Sequence, residues 1–324
     1  MAVLAGDVGG TKSRFLLKQG EKVLLKEKFY NRYYESFSEV LKDFLTKKSV
    51  KISKACLGIA GPILHNRCAA TNLPWEIDGS FLSSEFKIPK VRLINDMEAN
   101  AYGISCLKKE EFVVLNPGEK DAKGHAALIS AGTGLGEAGL FWSGKGHRPF
   151  ATEGSHADFA PRNELEIHLL CYLKKKYGHV SYERAVSGMG IANLYRFLVD
   201  QGVEKSSLAV EKVFEEGGDP PEAISEGALK LKDKTCLRVM EWFISLYGAE
   251  AGNVALKFLS KGGLYVGGGI APKILPLFKK ETFMTAFVDK GRFCDLLQQI
   301  PVKIILNEET ALIGAAAHAS EKEF

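Results

Sequence analysis

The segment that decides the fold is Gly6-Asp7-Val8-Gly9-Gly10-Thr11, which directly follows the apolar Val3-Leu4-Ala5. A second glycine-rich segment, Ala131-Gly132-Thr133-Gly134-Leu135-Gly136, follows the apolar Ala127-Leu128-Ile129. Bulky apolar residues come after each turn, and the second of these stretches is too short and too glycine-flanked for a helix. Each segment therefore predicts a strand, a tight turn and another strand.

Turns of this kind suit the phosphate groups of a nucleotide. Glycine permits positive φ angles and lets the backbone approach a ligand closely, and the amides of the turn remain available as donors. Since one such turn lies near the start of each half of the chain, the sequence predicts a triphosphate that is held from both sides.

Length and composition limit the class of protein. The chain has 324 residues, more than one hydrophobic core usually holds, so we expect two domains with a cleft between them. Hydrophobic residues make up 46% and charged residues 25%, a globular composition that argues against disorder. The formal net charge is +4 without a sustained basic block, which argues against nucleic acid as the main partner.

Cysteine usage and hydropathy bear on the compartment. Six cysteines are scattered singly without a C-x-x-C pair, no apolar run reaches the length of a membrane span, and the chain starts directly with a strand. We therefore expect a cytoplasmic protein with reduced thiols and no membrane partner.

The predicted elements repeat in the two halves of the chain. In the first half, the expected strands are 3–6, 13–18, 23–30, 54–59 and 91–94, and the expected helices are 36–47 and 97–107. In the second half, the expected strands are 126–130, 138–142, 264–266 and 302–306, with helices after Pro272 and at 308–318. This order predicts an α/β fold with duplicated mixed sheets flanked by helices.

Helical insertions concentrate between residues 163 and 260. Gly178 is expected to end the first helix. Gly248 and Gly252 interrupt a broad apolar face over 227–259, which predicts a kink or two separate helices. We expect a small domain of residues 1–108, completed by a C-terminal helix at 307–324, and a large domain of residues 109–306.

Asp96 is the first candidate for chemistry. It follows the strand 91–94 with only Asn95 between, and open α/β sheets bind ligands at the carboxyl ends of their strands. A carboxylate there can accept the proton of a substrate hydroxyl during phosphoryl transfer. The alternative is a strand exit with a helix N-cap, where Asp is also favoured.

Asp7 lies inside the first glycine-rich turn. A carboxylate beside a polyphosphate is repulsive unless a cation intervenes, so its position suggests Mg²⁺ held partly through water. The alternative is an ordinary turn residue, since Asp is common in turns.

Polar residues cluster in the segment that contains Glu153, His156 and Asp158. Such a density of donors and acceptors in a glycine-containing loop could surround a polyhydroxylated ligand. A zinc site would need more ligands than these. Glu183, taken alone, is more typical of a solvated charge at a helix start.

The stretch Gly267-Gly268-Gly269-Ile270-Ala271-Pro272 follows the strand 264–266. It permits the close approach of a flat ligand such as adenine, or it is a flexible turn before a helix with proline at its first position.

A further segment, Gly134-Leu135-Gly136-Glu137-Ala138-Gly139, matches G-x-G-x-x-G literally. The dinucleotide fingerprint requires a helix at the third glycine, where a strand is expected here, so a dehydrogenase is disfavoured.

Together these motifs resemble the bacterial ATP-dependent glucokinases of the actin, hexokinase and Hsp70 fold group. The resemblance extends over nearly the whole chain and rests on the following stretches in family order: 6–11, Thr71-Asn72 with Trp75, 94–96, 132–136, Glu153-Gly154 with His156, 158–161, His179-Val180-Ser181 with Glu183-Arg184, and Gly268-Gly269-Ile270 with Pro272. It implies a two-domain actin-like ATPase (ribonuclease H-like) fold, ATP and Mg²⁺ as cofactors, glucose as substrate and a homodimer.

The resemblance also implies a role for each site residue. Asp96 would be the general base for the sugar 6-hydroxyl, and Gly268 would lie beside the adenine. The residues that hold the other sugar hydroxyls would be Asn95, Glu153, His156 and Glu183. The residues that contact the ATP phosphates would be Gly9, Gly10, Thr11, Gly132, Thr133 and Gly134, with Asp7 helping to place Mg²⁺.

Two departures from the family pattern are present. Lys12 occupies a position where some relatives have Asn, and Gly61 replaces a Cys that some of them have before Pro62. The implied reaction is ATP-dependent phosphorylation of glucose to glucose 6-phosphate and ADP. The alternatives are a kinase for another hexose, such as mannose or an amino sugar, and a non-catalytic ATP-binding module like actin or Hsp70.

Overall fold

The structure is a computed structural model that describes residues 1–70, 73–278, 281–321 and 324. Thr71 and Asn72, which contribute to the family resemblance, lie outside the described residues. The chain separates into two compact units. The first unit comprises Met1–Glu111, Arg148–Ala151 and Asn307–Phe324, and the second comprises Phe112–His147 and Thr152–Leu306.

The first unit is built on a five-stranded mixed sheet. Strands β1 to β7 cover, in chain order, Ala2–Val8, Lys12–Gln19, Lys22–Tyr30, Ile52–Ile59, Arg67–Ala69, Glu76–Asp78 and Lys90–Asn95. The sheet order is β3-β2-β1-β4-β7, while β5 and β6 form a separate two-stranded ribbon. β1 pairs antiparallel with β2 and parallel with β4, and β4 pairs parallel with β7.

Helices cover both faces of this sheet. Helices α1 to α3 cover Phe37–Thr46, Gly79–Phe86 and Asp96–Ile104. Successive residues of β2 belong to different hydrophobic clusters, since Phe15 and Leu17 pack with α1 while Leu16 packs on the opposite face. This alternation is what a pleated strand produces when both of its faces are buried.

A second mixed sheet has six strands, and all of them except the edge strand His147–Thr152 lie wholly in the second unit. Strands β8 to β13 cover Phe112–Asn116, Ala126–Ala131, Leu135–Trp142, His147–Thr152, Gly263–Gly267 and Val302–Ile305. The sheet order is β11-β10-β9-β12-β13-β8. β9 pairs antiparallel with β10 and parallel with β12, and β12 pairs parallel with β13. Apart from β8, the strand order and these pairings repeat those of the first sheet.

The helices of the second unit lie mostly between β11 and β13 in the chain. Helices α4 to α12 cover Glu164–Tyr177, Gly188–Asp200, Leu208–Glu215, Pro220–Glu226, Lys234–Lys257, Ile270–Lys273, Leu275–Phe278, Thr282–Val288 and Cys294–Gln298. The chain then returns to the first unit, where α13 covers Thr310–Ser320. As predicted, Gly178 ends α4, with a positive φ of 73°. None of the helices formed by the described residues has the length and hydropathy needed to cross a bilayer.

The structure corrects two sequence predictions about helices. The prediction of two separate helices at Gly248 and Gly252 is wrong, since α8 runs through both residues. These glycines let α11 approach, because a Cβ at either position would collide with the backbone carbonyl of Phe283 or Phe287. The helix near Pro272 begins earlier than predicted, at Ile270, so proline is its third residue. A helix tolerates proline there, because the amide of a first-turn residue has no intrahelical partner.

Candidate functional site

In the first unit, three strand ends meet at one edge of the sheet. Val8 of β1 is in register with Ile59 of β4, and Ile59 is in register with Asn95 of β7. All three strands are parallel, so the first glycine-rich turn, residues 60–61 and Asp96 follow one another along the carboxyl edge. Since neighbouring strands lie about 4.8 Å apart, Val8 and Asn95 are roughly 10 Å apart.

The first turn is held by a residue that the sequence did not reveal. The Nδ2 of Asn31 donates to the carbonyl of Gly9 at 2.7 Å, and its backbone amide donates to the carbonyl of Thr11 at 3.0 Å. The hydroxyl of Ser13 donates to the Oδ1 of Asn31 at 2.8 Å. Asn31 is buried, and its contacts fix the turn that connects β1 and β2.

Asp7 has a cationic neighbour. The Nη1 of Arg14 lies 3.5 Å from the Oδ2 of Asp7 and also donates to the carbonyl of Glu308 at 2.8 Å. Burial raises the pKa of Asp7, while the guanidinium of Arg14 opposes that rise. Arg14 therefore stabilises the ionised form of a carboxylate that burial alone would protonate more readily.

Asn95 and Asp96 have different structural roles. Asn95 is the N-cap of α3, with its Oδ1 accepting from the amide of Met97 at 2.9 Å and its Nδ2 donating to the carbonyl of Gly61 at 3.2 Å. Asp96 is the first helical residue, and its Oδ1 accepts from the same amide at 3.0 Å. The N-cap alternative considered for Asp96 therefore applies to Asn95, and the carboxylate of Asp96 lies at the positive end of a helix.

In the second unit, the second glycine-rich turn lies beside Gly268. β9 and β12 are parallel with Ser130 in register with Gly267, so both turns leave the same edge of the sheet. The hydroxyl of Tyr247, a fully buried residue of α8, accepts from the amide of Ala131 at 3.0 Å and lies 3.3 Å from the carbonyls of Ile129 and Gly267. Tyr247 thus supports the ends of both strands.

Sequence analysis predicted two roles for glycine in these turns, positive φ angles and close approach of a ligand to the backbone, and the structure separates them. Gly268 does have a positive φ, of 82°, but Gly9, Gly10, Gly132 and Gly134 do not. Nothing lies within 4 Å of where a Cβ of Gly132 would be. The absence of a side chain there leaves the backbone open to a ligand, rather than permitting an unusual conformation.

Glu183 lies against the second turn. Its Oε2 accepts from the amide of Leu135 at 3.0 Å, and a Cβ on Gly134 would collide with the same oxygen. The amide of Gly188, further along the same segment, donates to the carbonyl of Gly132 at 2.8 Å. The segment 183–188 therefore holds the turn at both of its ends, a contact that the sequence prediction for Glu183 did not include.

A short 3-10 turn, Gly154–His156, follows β11, with Glu153 as its N-cap residue and His156 as its last residue. Both side chains are more than half exposed, and the Nε2 of His156 is 3.8 Å from the Oε2 of Glu153. The backbone of this segment is paired with that of the Glu183 segment, since the amide of Phe159 donates to the carbonyl of Val180 at 2.9 Å. The structure thus brings the two predicted sugar-binding segments of this unit side by side.

His179 strengthens the link between these two segments. Its Nε2 lies 3.0 Å from the carbonyl oxygen of His156, and its Nδ1 lies 3.4 Å from the Oδ1 of Asp158. The sequence placed His179 in a family motif without giving it a role. Among the described residues, no group of three or more His, Cys, Asp or Glu side chains is arranged to hold a metal ion.

A pair of buried acids, Glu137 of β10 and Glu250 of α8, lies under these segments, with exposures of 1% and 0%. A Cβ on Gly154 would collide with the Oε2 of Glu137, and the hydroxyl of Tyr182 hydrogen-bonds with Glu250. Burial first, and then the charge of Glu250, raise the pKa of Glu137 to about 8. No local sequence pattern indicates this pair, because its members are 113 positions apart.

Comparison with known proteins agrees with this architecture. The sequence profile of the glucokinase family matches residues 4–322. The glucokinase of Synechocystis sp. is 43% identical, with 98% of each chain covered. A crystal structure of a glucokinase from an Antarctic psychrotroph has a TM-score of 0.83 at 30% identity, with 98% of each chain covered. A glucokinase of the ROK family from Streptomyces griseus, solved with glucose and AMPPNP, shares the fold with a TM-score of 0.67 at 18% identity, with 98% of this chain and 99% of that chain covered.

Full-length matches at this level make the protein an enzyme of the kinase class, a transferase with a mixed α/β fold. Within that class, the chain belongs to the glucokinase family. The resemblance predicted from the sequence motifs is therefore confirmed.

Proposed function

We propose that this protein transfers the terminal phosphoryl group of ATP to the 6-hydroxyl of glucose, giving glucose 6-phosphate and ADP, with Asp96 as general base. The observation that carries the proposal is the position of Asp96, which follows a parallel strand at the sheet edge that also bears the first glycine-rich turn. An acceptor for the hydroxyl proton and a phosphate-binding turn are what phosphoryl transfer to an alcohol requires.

In this proposal the carboxylate of Asp96 accepts the proton of the 6-hydroxyl as its oxygen attacks the γ-phosphorus. The bond between that phosphorus and the β,γ-bridging oxygen breaks, and the electron pair leaves with ADP. The amide of Met97, which donates to Asp96 Oδ1, and the helix N-terminus favour the ionised form of the carboxylate before the transfer.

The ATP phosphates are assigned to the two glycine-rich turns. The proposed contacts are Gly9, Gly10, Thr11, Gly132, Thr133 and Gly134, with Gly268 beside the adenine. Open space around Gly132 and the hydrogen bonds that hold each turn support this assignment, since a preorganised turn loses little conformational freedom when it binds an anion.

Mg²⁺ is assigned to Asp7, with water between the carboxylate and the metal. One carboxylate with substrate phosphates and several waters is the ligand set that Mg²⁺ prefers. The observed surroundings of Asp7 fit, because Arg14 favours its ionised form. When bound, the metal supplies neutralisation of the charge on the β- and γ-phosphates.

The sugar hydroxyls are assigned to Asn95, Glu153, His156 and Glu183. The exposed side chains of Glu153 and His156 on backbone that is tied to the Glu183 segment support this assignment. The side chain of Asn95 already makes two hydrogen bonds, since its Oδ1 accepts from Met97 and its Nδ2 donates to Gly61. In the proposed contact, a sugar hydroxyl would share one of these two atoms.

We also propose the finer features that the family resemblance implies. The matching strand order of the two sheets supports a duplicated actin-like ATPase fold, with a small domain of residues 1–108 and 307–324 and a large domain of residues 109–306. Six free cysteines support a reducing, cytoplasmic compartment. A homodimer rests on the resemblance, and sedimentation of the purified protein tests it.

The decisive experiment is ADP release from ATP and Mg²⁺ in the presence of a panel of hexoses. The proposal expects fast release with glucose, glucose 6-phosphate as product, and slower turnover with mannose and amino sugars. Faster turnover with mannose would overturn the glucose assignment. If no sugar accelerates ADP release, the non-catalytic ATP-binding module becomes the better interpretation.

A further inference from the structure

The buried acids Glu137 and Glu250 are not used by the proposed reaction, and they lie against both sugar-binding segments of the second unit. We propose that they form a carboxyl pair that shares one proton and positions Gly154–His156 and the Glu183 turn for sugar binding, so that losing this proton in alkaline solution weakens the binding of the sugar. The proposal deepens the proposed function and rests on it.

The hydrogen-bonding pattern assigns the proton within the pair. The Oε1 of Glu250 accepts from the Nζ of Lys257 at 3.3 Å, and its Oε2 accepts from the Nδ2 of Asn253 at 2.7 Å. The Oε1 of Glu137 is buried and has no hydrogen-bond donor among the described residues. The carboxyls of Glu137 and Glu250 lie within interaction distance of each other, and two carboxyls can pair only if one carries a proton; this pattern assigns the proton to Glu137.

Each member of the pair contacts one sugar-binding segment. The carboxyl of Glu137 fills the space beside Gly154, and the hydroxyl of Thr152 donates to the carbonyl of Glu137 at 3.1 Å. The amide of Gly154 donates to that same hydroxyl at 3.2 Å. Glu137 therefore fixes the start of the turn that carries Glu153 and His156.

Glu250 fixes the other segment through Tyr182, the neighbour of Glu183. The hydroxyl of Tyr182 hydrogen-bonds with Glu250 and also accepts from the Nδ2 of Asn253 at 2.9 Å. Tyr182 is buried, so it has little freedom to move without its turn. A displacement of Glu250 is thus transmitted to the backbone beside Glu183.

The charges around the pair do not compensate a second negative charge. The titratable groups that face the pair are Lys257 and Tyr247 of α8, Tyr182 of the 3-10 turn, and Lys290. Lys257 is half exposed and already pairs with Glu250, and burial lowers the pKa of Lys290. When Glu137 ionises, two carboxylates therefore repel each other in a low dielectric, and the segments above them are displaced.

The test compares the wild type with Glu137→Gln, which keeps a donor for Glu250 but cannot lose its proton. In the wild type, we expect the Kd for glucose, measured by calorimetry, to rise about tenfold between about pH 7 and pH 9, with little change in KM for ATP. In Glu137→Gln the Kd for glucose should stay flat near the wild-type value at neutral pH. Glu164→Gln, which removes an exposed carboxyl of the same unit, should follow the wild type.

A second measurement follows urea unfolding of the sugar-free protein against pH. The native state keeps a proton that the unfolded chain releases near the ordinary pKa of Glu, so wild-type stability is full below that pKa and is lost as pH rises through about 8. Glu137→Gln should lack this loss. If Glu137→Gln folds poorly, Glu250→Gln serves instead: burial still raises the pKa of Glu137, but the charge of Glu250 no longer does, so the loss of stability should be smaller and should occur at lower pH than in the wild type.

An equal rise of the glucose Kd in wild type and Glu137→Gln would overturn the proposal, as would equal pH slopes of their stability. Failure of the proposed function is distinguishable, since it appears as an absence of hexose phosphorylation by the wild type at every pH. A pH-dependent stability that disappears in Glu137→Gln, together with an unchanged wild-type glucose Kd, would retain the shared proton but overturn its role in sugar binding.

Discussion

Replacing Gly268 by Ala tests the glycine turn after β12. Alanine at the observed φ of 82° costs about 1–2 kcal/mol in backbone strain. Its Cβ would also lie 2.7 Å from the carbonyl carbon and 2.9 Å from the nitrogen of Ala131, so β9 and β12 must shift at their ends. Crowding of this kind costs about 1–3 kcal/mol, and the expected total is about 3 kcal/mol.

Gly269→Ala is the matched control for this change. Gly269 has an ordinary φ of −78°, and no atom lies within 4 Å of its added Cβ. We expect this variant to lose less than about 1 kcal/mol. By thermal unfolding, the melting temperature of Gly268→Ala should fall by about 6–12 °C, as expected for a unit of this size. KM for ATP should also rise. Equal melting temperatures for the two variants would refute the steric reasoning.

Three further substitutions test separate contacts. Tyr247→Phe leaves the buried amide of Ala131 without its acceptor, so the free energy of unfolding in urea should fall by about 1–3 kcal/mol. An unchanged free energy would show that Tyr247 does not support the turns. Gly314→Ala places a Cβ 3.0 Å from the carbonyl carbon of Ala99 and against its oxygen, so the packing of α13 on α3 should lose more than about 2 kcal/mol by the same assay. Gly132→Ala places a methyl group in open space, so the free energy of unfolding should change by less than about 0.5 kcal/mol. KM for ATP should rise severalfold, and an unchanged KM would argue against phosphate binding at this turn.

The strand-turn-strand units could be predicted from sequence because their signals are local. Apolar runs on both sides of a glycine-rich turn define β1 with β2 and β9 with β10, and the observed strands extend the predicted ones by one to three residues. Four strands were missed: Arg67–Ala69, Glu76–Asp78, Phe112–Asn116 and His147–Thr152. Arg67–Ala69 and Glu76–Asp78 are only three residues long, and His147–Thr152 is mostly exposed, so these strands lack the apolar alternation by which a strand is recognised. Phe112–Asn116 is a short, half-buried apolar run without alternation, a pattern that does not by itself distinguish a strand from a helical segment.

The contacts that hold the site could not be predicted, because they join residues far apart in the chain. Tyr247 lies 116 positions from Ala131, and Asn31 lies 22 positions from Gly9. No local pattern distinguishes these side chains from ordinary core or loop residues. The same holds for the glycines in α8, whose effect on a helix depends on whether another helix approaches them.

The most direct test of the central claim measures glucose binding and single-turnover formation of glucose 6-phosphate in Asp96→Asn. Glu98→Gln, two positions along α3, is the control for changes to a carboxyl on this helix. We expect Asp96→Asn to bind glucose nearly as tightly as the wild type while its rate of phosphoryl transfer falls by about two to four orders of magnitude. A rate close to that of the wild type would contradict the assignment of Asp96 as the base.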